Sequence, residues 1–106
     1  HNKYQKIQKI IENLLSGHHV AVITDAGTPA ISDPAYKLVR QAIKVGCNIE
    51  SIPGPSAVTA ALSVSGIPTD HFYFEGFLPP KKGRKTRFEL LESNYYYYVA
   101  ISSLIY

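Results

Sequence analysis

The chain has very little cysteine and no long apolar run. Its 106 residues include a single cysteine, Cys47, which cannot form an internal disulfide bridge. This favours a reduced, cytoplasmic protein. No segment approaches the roughly twenty consecutive apolar residues that a membrane-spanning helix needs, and the polar start at residues 1–3 does not resemble a signal peptide. With 45% hydrophobic residues, the composition excludes a disordered chain and predicts one hydrophobic core in a soluble protein.

Positive charge is small overall but unevenly distributed. The net charge of +3 does not by itself indicate a nucleic-acid-binding protein. Five of the eleven basic residues, however, lie close together, and we call residues 81–87 the basic segment. Its cations are Lys81, Lys82, Arg84, Lys85 and Arg87. A cluster of this kind is either a solvated linker or a contact for nucleic-acid phosphates.

The hydrophobic pattern predicts alternating helices and strands. Apolar residues at helical spacing indicate helices, and short, continuously apolar segments rich in β-branched residues indicate buried parallel strands. Asp33 is suited to cap the second helix and Ser56 the third. The predicted helices cover about residues 3–15, 34–45, 56–65 and 86–91, and the predicted strands residues 20–24, 48–52, 71–77 and 95–106. This order is typical of an α/β fold with a mostly parallel sheet flanked by helices.

Two consecutive prolines, Pro79 and Pro80, precede the basic segment. A stiff dipeptide followed by charged residues and a glycine indicates a linker. We therefore expect residues 1–80 to form the C-terminal part of a first domain. Residues 81–106 would be the linker and the beginning of a second domain, so that the chain is an internal piece of a longer protein.

Two loops that follow predicted strands carry residues suited to bind a ligand. In an open parallel sheet, ligands bind beyond the carboxyl ends of the strands. Residues 24–34 combine small residues with two carboxylates and several hydroxyls, but lack the lysine of a P-loop and the G-x-G-x-x-G spacing. Residues 53–57 present backbone N–H groups at a helix start. Both loops suit a polar, nucleoside-like ligand, although strand-to-helix turns use the same residue types for conformational reasons alone.

Four motifs, in order along the chain, resemble one protein family. Residues 24–35 resemble the "SDAGTPGISDPG" signature of the small-subunit rRNA methyltransferase I branch of the tetrapyrrole methylases, with alanine at two glycine positions. Residues 53–57 resemble its "PGPSA" loop, residues 65–70 its "SGLPTD" and residues 74–79 its "FEGFLP". The resemblance covers about nine tenths of the chain without interruption, which is far more specific than a single motif.

The resemblance implies a methyltransferase that uses S-adenosylmethionine as the methyl donor and no metal. Family members have two α/β domains with the cofactor in the cleft between them, and they are often homodimers. The reaction is methyl transfer to the ribose 2′-oxygen of a cytidine in 16S rRNA of the small ribosomal subunit. Asp25 is the one carboxylate that we nominate as a catalytic base, and the basic segment would contact the rRNA. By similarity, the residues that contact the cofactor are Asp25, Gly27, Thr28, Ile31, Ser56 and Ala57.

The sequence also departs from the family pattern. The family's glycine loop, similar to "PTPIGN", would precede residue 1. The family also usually has an "ESPHR" signature after its next strand, whereas this chain has other residues at 102–106. We therefore expect the 106 residues alone to be inactive.

Two other functions stay open. One is methylation of a tetrapyrrole intermediate, which is disfavoured because such enzymes carry Gly-Asp-Pro where this chain has Gly27, Thr28 and Pro29. The other is a non-catalytic binding module of the same fold.

Overall fold

The computed structural model describes residues 2–93 and 98–101. Within them lie four helices and two strands, and the chain divides into two compact units, His1–Ser56 and Ala57–Tyr106. None of the helices in the described ranges is long and apolar enough to cross a membrane. The elements are α1 (Asn2–Leu15), α2 (Tyr36–Lys44), α3 (Ala57–Ser63), β1 (Tyr73–Phe77), α4 (Lys81–Glu92) and β2 (Tyr98–Ile101).

The first unit is organised by the packing of α1 against α2. Ile11 of α1 and Ala42 of α2 are buried, and they are the only buried hydrophobic residues in the described part of the chain. Ile11 belongs to the apolar stripe that predicted this helix, so that prediction is confirmed. The single hydrophobic core expected from the composition is therefore present in the first unit, but it is very small.

A carboxylate stabilises the turn that leads into α2, although the sequence predicts it as the cap of a helix that begins at Pro34. The helix begins at Tyr36, and its N-cap residue, Ala35, has no side-chain cap. Asp33 Oδ1 accepts a hydrogen bond from the backbone N–H of Ala35 at 2.7 Å. The carbonyl of Pro34 then accepts the N–H of Lys37 at 3.1 Å, which forms a first turn ahead of the regular helix. The bond satisfies one of the backbone donors that a helix start leaves without an intrahelical partner.

Two of the predicted strands are absent, and this corrects the sequence prediction. Residues 20–24 and 48–52 have no strand conformation, and Ile23 and Ile52 are each 89% exposed. A buried strand needs a neighbouring strand to pair its backbone groups and a layer of helices to cover its side chains. The described residues provide neither for these two segments.

The second unit contains the one sheet of the described residues, in which β1 and β2 pair in parallel. Tyr73 lies opposite Tyr98 and Phe77 opposite Ile101. The register shifts between Phe74 and Gly76, so Glu75 is an extra residue on β1. The strands predicted at residues 71–77 and 95–106 are confirmed at these positions, and the other residues of the second prediction, 95–97 and 102–106, lie outside the described residues.

The basic segment lies within a helix, whereas the sequence pattern did not predict a helix before residue 86. Helix α4 begins at Lys81, directly after Pro80, and includes Gly83. A Cβ atom at Gly83 would lie 3.2 Å from Cβ of Pro79, so the absence of a side chain lets Pro79 pack closely against the first turn. Residues 81–85 therefore lie in the first turns of α4. Whether residues 1–80 and 81–106 belong to separate domains stays a prediction.

Asp33→Ala is expected to lower the free energy of unfolding by about 1 kcal/mol, because the N–H of Ala35 loses its acceptor. Asp33→Asn keeps a side-chain oxygen at the same place and is expected to stay within a few tenths of a kcal/mol of the wild type. Urea unfolding followed by circular dichroism measures both. Equal stability of the Ala variant and the wild type would contradict the stabilising role of this hydrogen bond.

Candidate functional site

The loop of residues 24–34 is built from left-handed backbone turns. Gly27, Ala30 and Ser32 have φ angles of 72°, 69° and 50°. The N–H of Ile31 donates to the carbonyl of Thr28 at 3.3 Å, and the hydroxyl of Thr24 donates to the carbonyl of Ala26 at 3.3 Å. Left-handed residues that are not glycine are uncommon and often occur where a loop is shaped for a ligand.

Ala30 occupies a position where the resembled signature has glycine. Its φ of 69° lies in the region that glycine adopts freely and alanine adopts at a cost of roughly 1–2 kcal/mol. The second such alanine, Ala35, has φ of −59° at the start of α2, where alanine is unstrained. The backbone therefore explains a glycine at position 30 and tolerates either residue at position 35.

The loop presents its predicted cofactor contacts to solvent. Asp25, Gly27 and Thr28 are exposed, and the apolar side chain of Ile31 is 57% exposed. Asp25 forms no ion pair with any described residue, whereas the carboxylate of Asp33 is engaged by the N–H of Ala35. The structure thus brings four of the six predicted contacts together on one loop.

The remaining two predicted cofactor contacts lie at the boundary between the two compact units. Ser56 is the last residue of the first unit and is half-buried. Ala57 is the first residue of α3 in the second unit and is exposed. The prediction that a helix starts directly after Ser56 is confirmed.

The five cations of the basic segment do not share one environment. Lys81, Lys82 and Lys85 are exposed. Arg84 is half-buried, and its Nε donates to the carbonyl of Pro79 at 3.4 Å. Arg87 Nη1 donates to Oε1 of Glu75 at 2.5 Å, and their side chains are 39% and 14% exposed, respectively. Sequence reasoning missed this ion pair because its partners lie on different elements, twelve residues apart.

The charges on α4 oppose the helix dipole. Its first turn contains no acidic residue and its last turn no basic residue. Pro80 occupies the N-cap position without a side-chain hydrogen bond to the helix. Helix N-termini carry partial positive charge and favour anions. The lysines at this end therefore repel the helix dipole, by roughly 0.3–1 kcal/mol each for exposed groups.

A cleft of about 240 Å³ lies between α1 and α2 in the first unit. Arg40 stacks over the ring of Tyr36, with Cζ 5.4 Å from the ring centroid. None of the predicted cofactor contacts lines this cleft. The sequence indicates the contact between Arg40 and Tyr36 only through their four-residue spacing on α2. Its lining residues are Tyr4, Ile7, Gln8, Tyr36, Lys37, Arg40 and Gln41.

Residues 2–93 and 98–101 contain no group of three or more His, Cys, Asp or Glu side chains that could hold a metal ion. Cys47 is a free thiol of intermediate burial.

Comparison with known proteins identifies the class. The family model described as Tetrapyrrole (Corrin/Porphyrin) Methylases matches residues 1–99. Because this match covers most of the 106 residues, the chain belongs to the tetrapyrrole methylase family. The membership expected from the four motifs is confirmed.

Several proteins similar to the chain carry the name "Ribosomal RNA small subunit methyltransferase I". The protein of Vibrio cholerae is 53% identical over 88 residues, which are 82% of this chain and 31% of that protein. The protein of Mesorhizobium japonicum is 51% identical over 94 residues, or 88% and 32% of the two chains. The protein of Thermotoga maritima is 46% identical over 84 residues, or 79% and 38%. The chain thus spans about a third of the length of the curated relatives it matches.

Opposite effects are expected from glycine at the two alanine positions. Ala30→Gly removes the left-handed strain and is expected to raise the free energy of unfolding by about 0.5–1 kcal/mol. Ala35→Gly has no strain to relieve and is expected to lower it by about 0.5–1 kcal/mol through backbone entropy. Urea denaturation midpoints of the two variants provide the measurement. A destabilised Ala30→Gly variant would contradict the left-handed turn.

Proposed function

We propose that the natural chain carrying these residues is an S-adenosylmethionine-dependent methyltransferase that acts on 16S rRNA. Its reaction would be methyl transfer to the ribose 2′-oxygen of a cytidine. The observation that carries the proposal is the family match over residues 1–99, together with relatives named as methyltransferases of small-subunit ribosomal RNA. The same proposal includes the family architecture: a mostly parallel sheet flanked by helices, a second α/β domain, and a homodimer in the cytoplasm.

The loop of residues 24–34 fits the proposed cofactor chemically. S-adenosylmethionine supplies an electrophilic methyl group on a sulfonium centre and also carries ribose hydroxyls, an amino acid group and an apolar adenine face. The exposed Thr28 hydroxyl and Asp25 carboxylate suit the polar groups, and the exposed Ile31 side chain suits the adenine. Gly27 allows the backbone to approach closely. Ser56 and Ala57 complete the set of proposed contacts.

Asp25 is also the proposed base. A ribose hydroxyl is a weak nucleophile, so the protein must chiefly hold it in line with the methyl carbon and accept its proton. The other carboxylate of the loop, Asp33, already accepts the N–H of Ala35. Asp25 is exposed and forms no ion pair among the described residues, which supports its assignment to this role.

The basic segment is the proposed contact for the rRNA backbone. Lysine and arginine side chains attract phosphates without reading bases, so such a contact would orient the small ribosomal subunit and leave the choice of nucleotide to other residues. A tetrapyrrole is disfavoured as the substrate, because Thr28 lies at the position where tetrapyrrole-modifying enzymes carry an aspartate.

The proposed activity is tested with the natural chain, isotopically labelled S-adenosylmethionine and purified small ribosomal subunits. The expected result is label in the rRNA, recovered after nuclease digestion as a 2′-O-methylated cytidine. Label in a base would contradict the ribose assignment. Label in no RNA, with transfer to a tetrapyrrole instead, would contradict the substrate class.

Asp25→Asn is expected to lower kcat for methyl transfer by about 100-fold or more, because the amide cannot accept the ribose proton. Asp33→Asn serves as the matched control, since it removes an equal charge from the same loop but keeps the hydrogen bond to Ala35. Steady-state kinetics with small ribosomal subunits separate the possibilities. An Asp25→Asn enzyme that raises the KM for the cofactor with kcat unchanged would show a binding contact and contradict the role of base.

A further inference from the structure

The extra residue on β1, Glu75, forms an ion pair with one arginine of the basic segment, Arg87. Glu75 is the residue at which the register between β1 and β2 shifts. Such bulges bend a strand and re-aim a side chain. The Glu75 side chain is 14% exposed and accepts the charge-assisted hydrogen bond from Arg87. Release of Arg87 to bind an external phosphate would leave a mostly buried carboxylate without its partner, which is strongly unfavourable.

Arg84 is also turned toward the protein. It is half-buried, and its Nε donates to the carbonyl of Pro79 at the start of α4. Both arginines of the basic segment therefore stabilise the junction between β1 and α4. Its lysines are the only cations of the segment that are exposed.

Lys81, Lys82 and Lys85 form one surface, which we call the lysine face. At about 100° of rotation per residue, these three positions of α4 lie within about 100° of one another around the helix axis. All three are exposed, and none forms an ion pair with a described residue. The face covers the beginning of α4, where backbone N–H groups and the helix dipole add positive potential.

The first turn of α4 gives the lysine face no opposite charge. No acidic residue lies in the first turn of α4, and no side chain caps it. Lys81 and Lys82 lie in the first turn, at the positive end of the helix, where cations raise the energy of the folded chain, and an anion bound there would relieve this repulsion. Phosphates spaced along a nucleic-acid strand match several lysines at once, which favours RNA over a single free anion.

We propose that the lysine face is the phosphate-contacting surface for RNA, and that Arg84 and Arg87 do not contact phosphate but hold α4 in place. This rests on the proposed function insofar as RNA is the substrate. It divides the basic segment into a binding part, Lys81, Lys82 and Lys85, and a structural part. Each lysine would neutralise about one phosphate.

The salt dependence of RNA binding tests this division. The natural chain is titrated with poly(U), a flexible single strand, at several salt concentrations. For single strands, the slope of log K against log salt changes by about 0.7 for each phosphate contact. Simultaneous replacement of Lys81, Lys82 and Lys85 by Gln is expected to reduce the magnitude of the slope by about 2.

Three further lysines provide a matched control. Lys3, Lys6 and Lys9 are exposed on α1, and their replacement by Gln removes the same charge elsewhere. This variant is expected to keep the wild-type slope. Arg87→Gln is also expected to keep the slope, but to unfold at a lower urea concentration because Glu75 loses its partner. An unchanged slope for the lysine-face variant, or an equal loss for the α1 variant or for Arg87→Gln, would overturn the proposal.

The outcome is separable from the proposed enzymatic activity. If the slope of log K against log salt falls only in the lysine-face variant, the RNA surface is supported. If the wild type then transfers no methyl group to rRNA, the proposed reaction is overturned. Methyl transfer to rRNA with no change of slope in the lysine-face variant would overturn the surface and leave the reaction standing.

Discussion

An extended segment can be buried only if its backbone N–H and C=O groups pair with a neighbour, and this requirement separates the strands of the described residues from their irregular segments. β1 and β2 meet it by pairing in parallel. Residues 20–24 and 48–52 have no such neighbour among the described residues and stay irregular and exposed. Helices satisfy most of their backbone groups internally, and α1 to α4 all form. The order in the described residues is therefore mainly helical, with a small apolar core.

The same requirement applies to the helix starts that lie beside the proposed cofactor and RNA contacts. A loop that ends in a helix must satisfy free N–H groups, and here Asp33 does so for the segment before α2. With Asp33 engaged in this way, Asp25 is left exposed on the same loop. At the start of α4 no carboxylate plays that role, and exposed lysines occupy the end of the helix that favours anions. The first arrangement suits a nucleoside-like cofactor and the second a polyanion, which together are the needs of an RNA methyltransferase.

Local patterns in the sequence were sufficient to predict what is determined locally. The apolar stripe of α1 and the helix start after Ser56 depend on neighbouring residues and were predicted correctly. Asp33 does bond to the backbone just before α2, although α2 begins two residues later than predicted. The strands at residues 20–24 and 48–52 depend on pairing partners that a sequence window does not contain. The helical conformation of residues 81–85 was not predicted, because the close approach of Pro79 to Gly83 is a contact that composition does not indicate. The pairing of Glu75 with Arg87 depends on a strand bulge, for which the sequence carries no clear signal.

The central claim is that the loop of residues 24–34 binds S-adenosylmethionine, and calorimetric titration of the natural chain with this cofactor tests it most directly. The account predicts a dissociation constant in the micromolar range for the wild type. Ile31→Asp places a charge where an exposed apolar side chain is proposed to meet the adenine, so about tenfold or weaker binding is predicted, with an unchanged thermal unfolding curve. Absence of binding to the wild type, or equal affinity of a fully folded Ile31→Asp variant, would contradict the account.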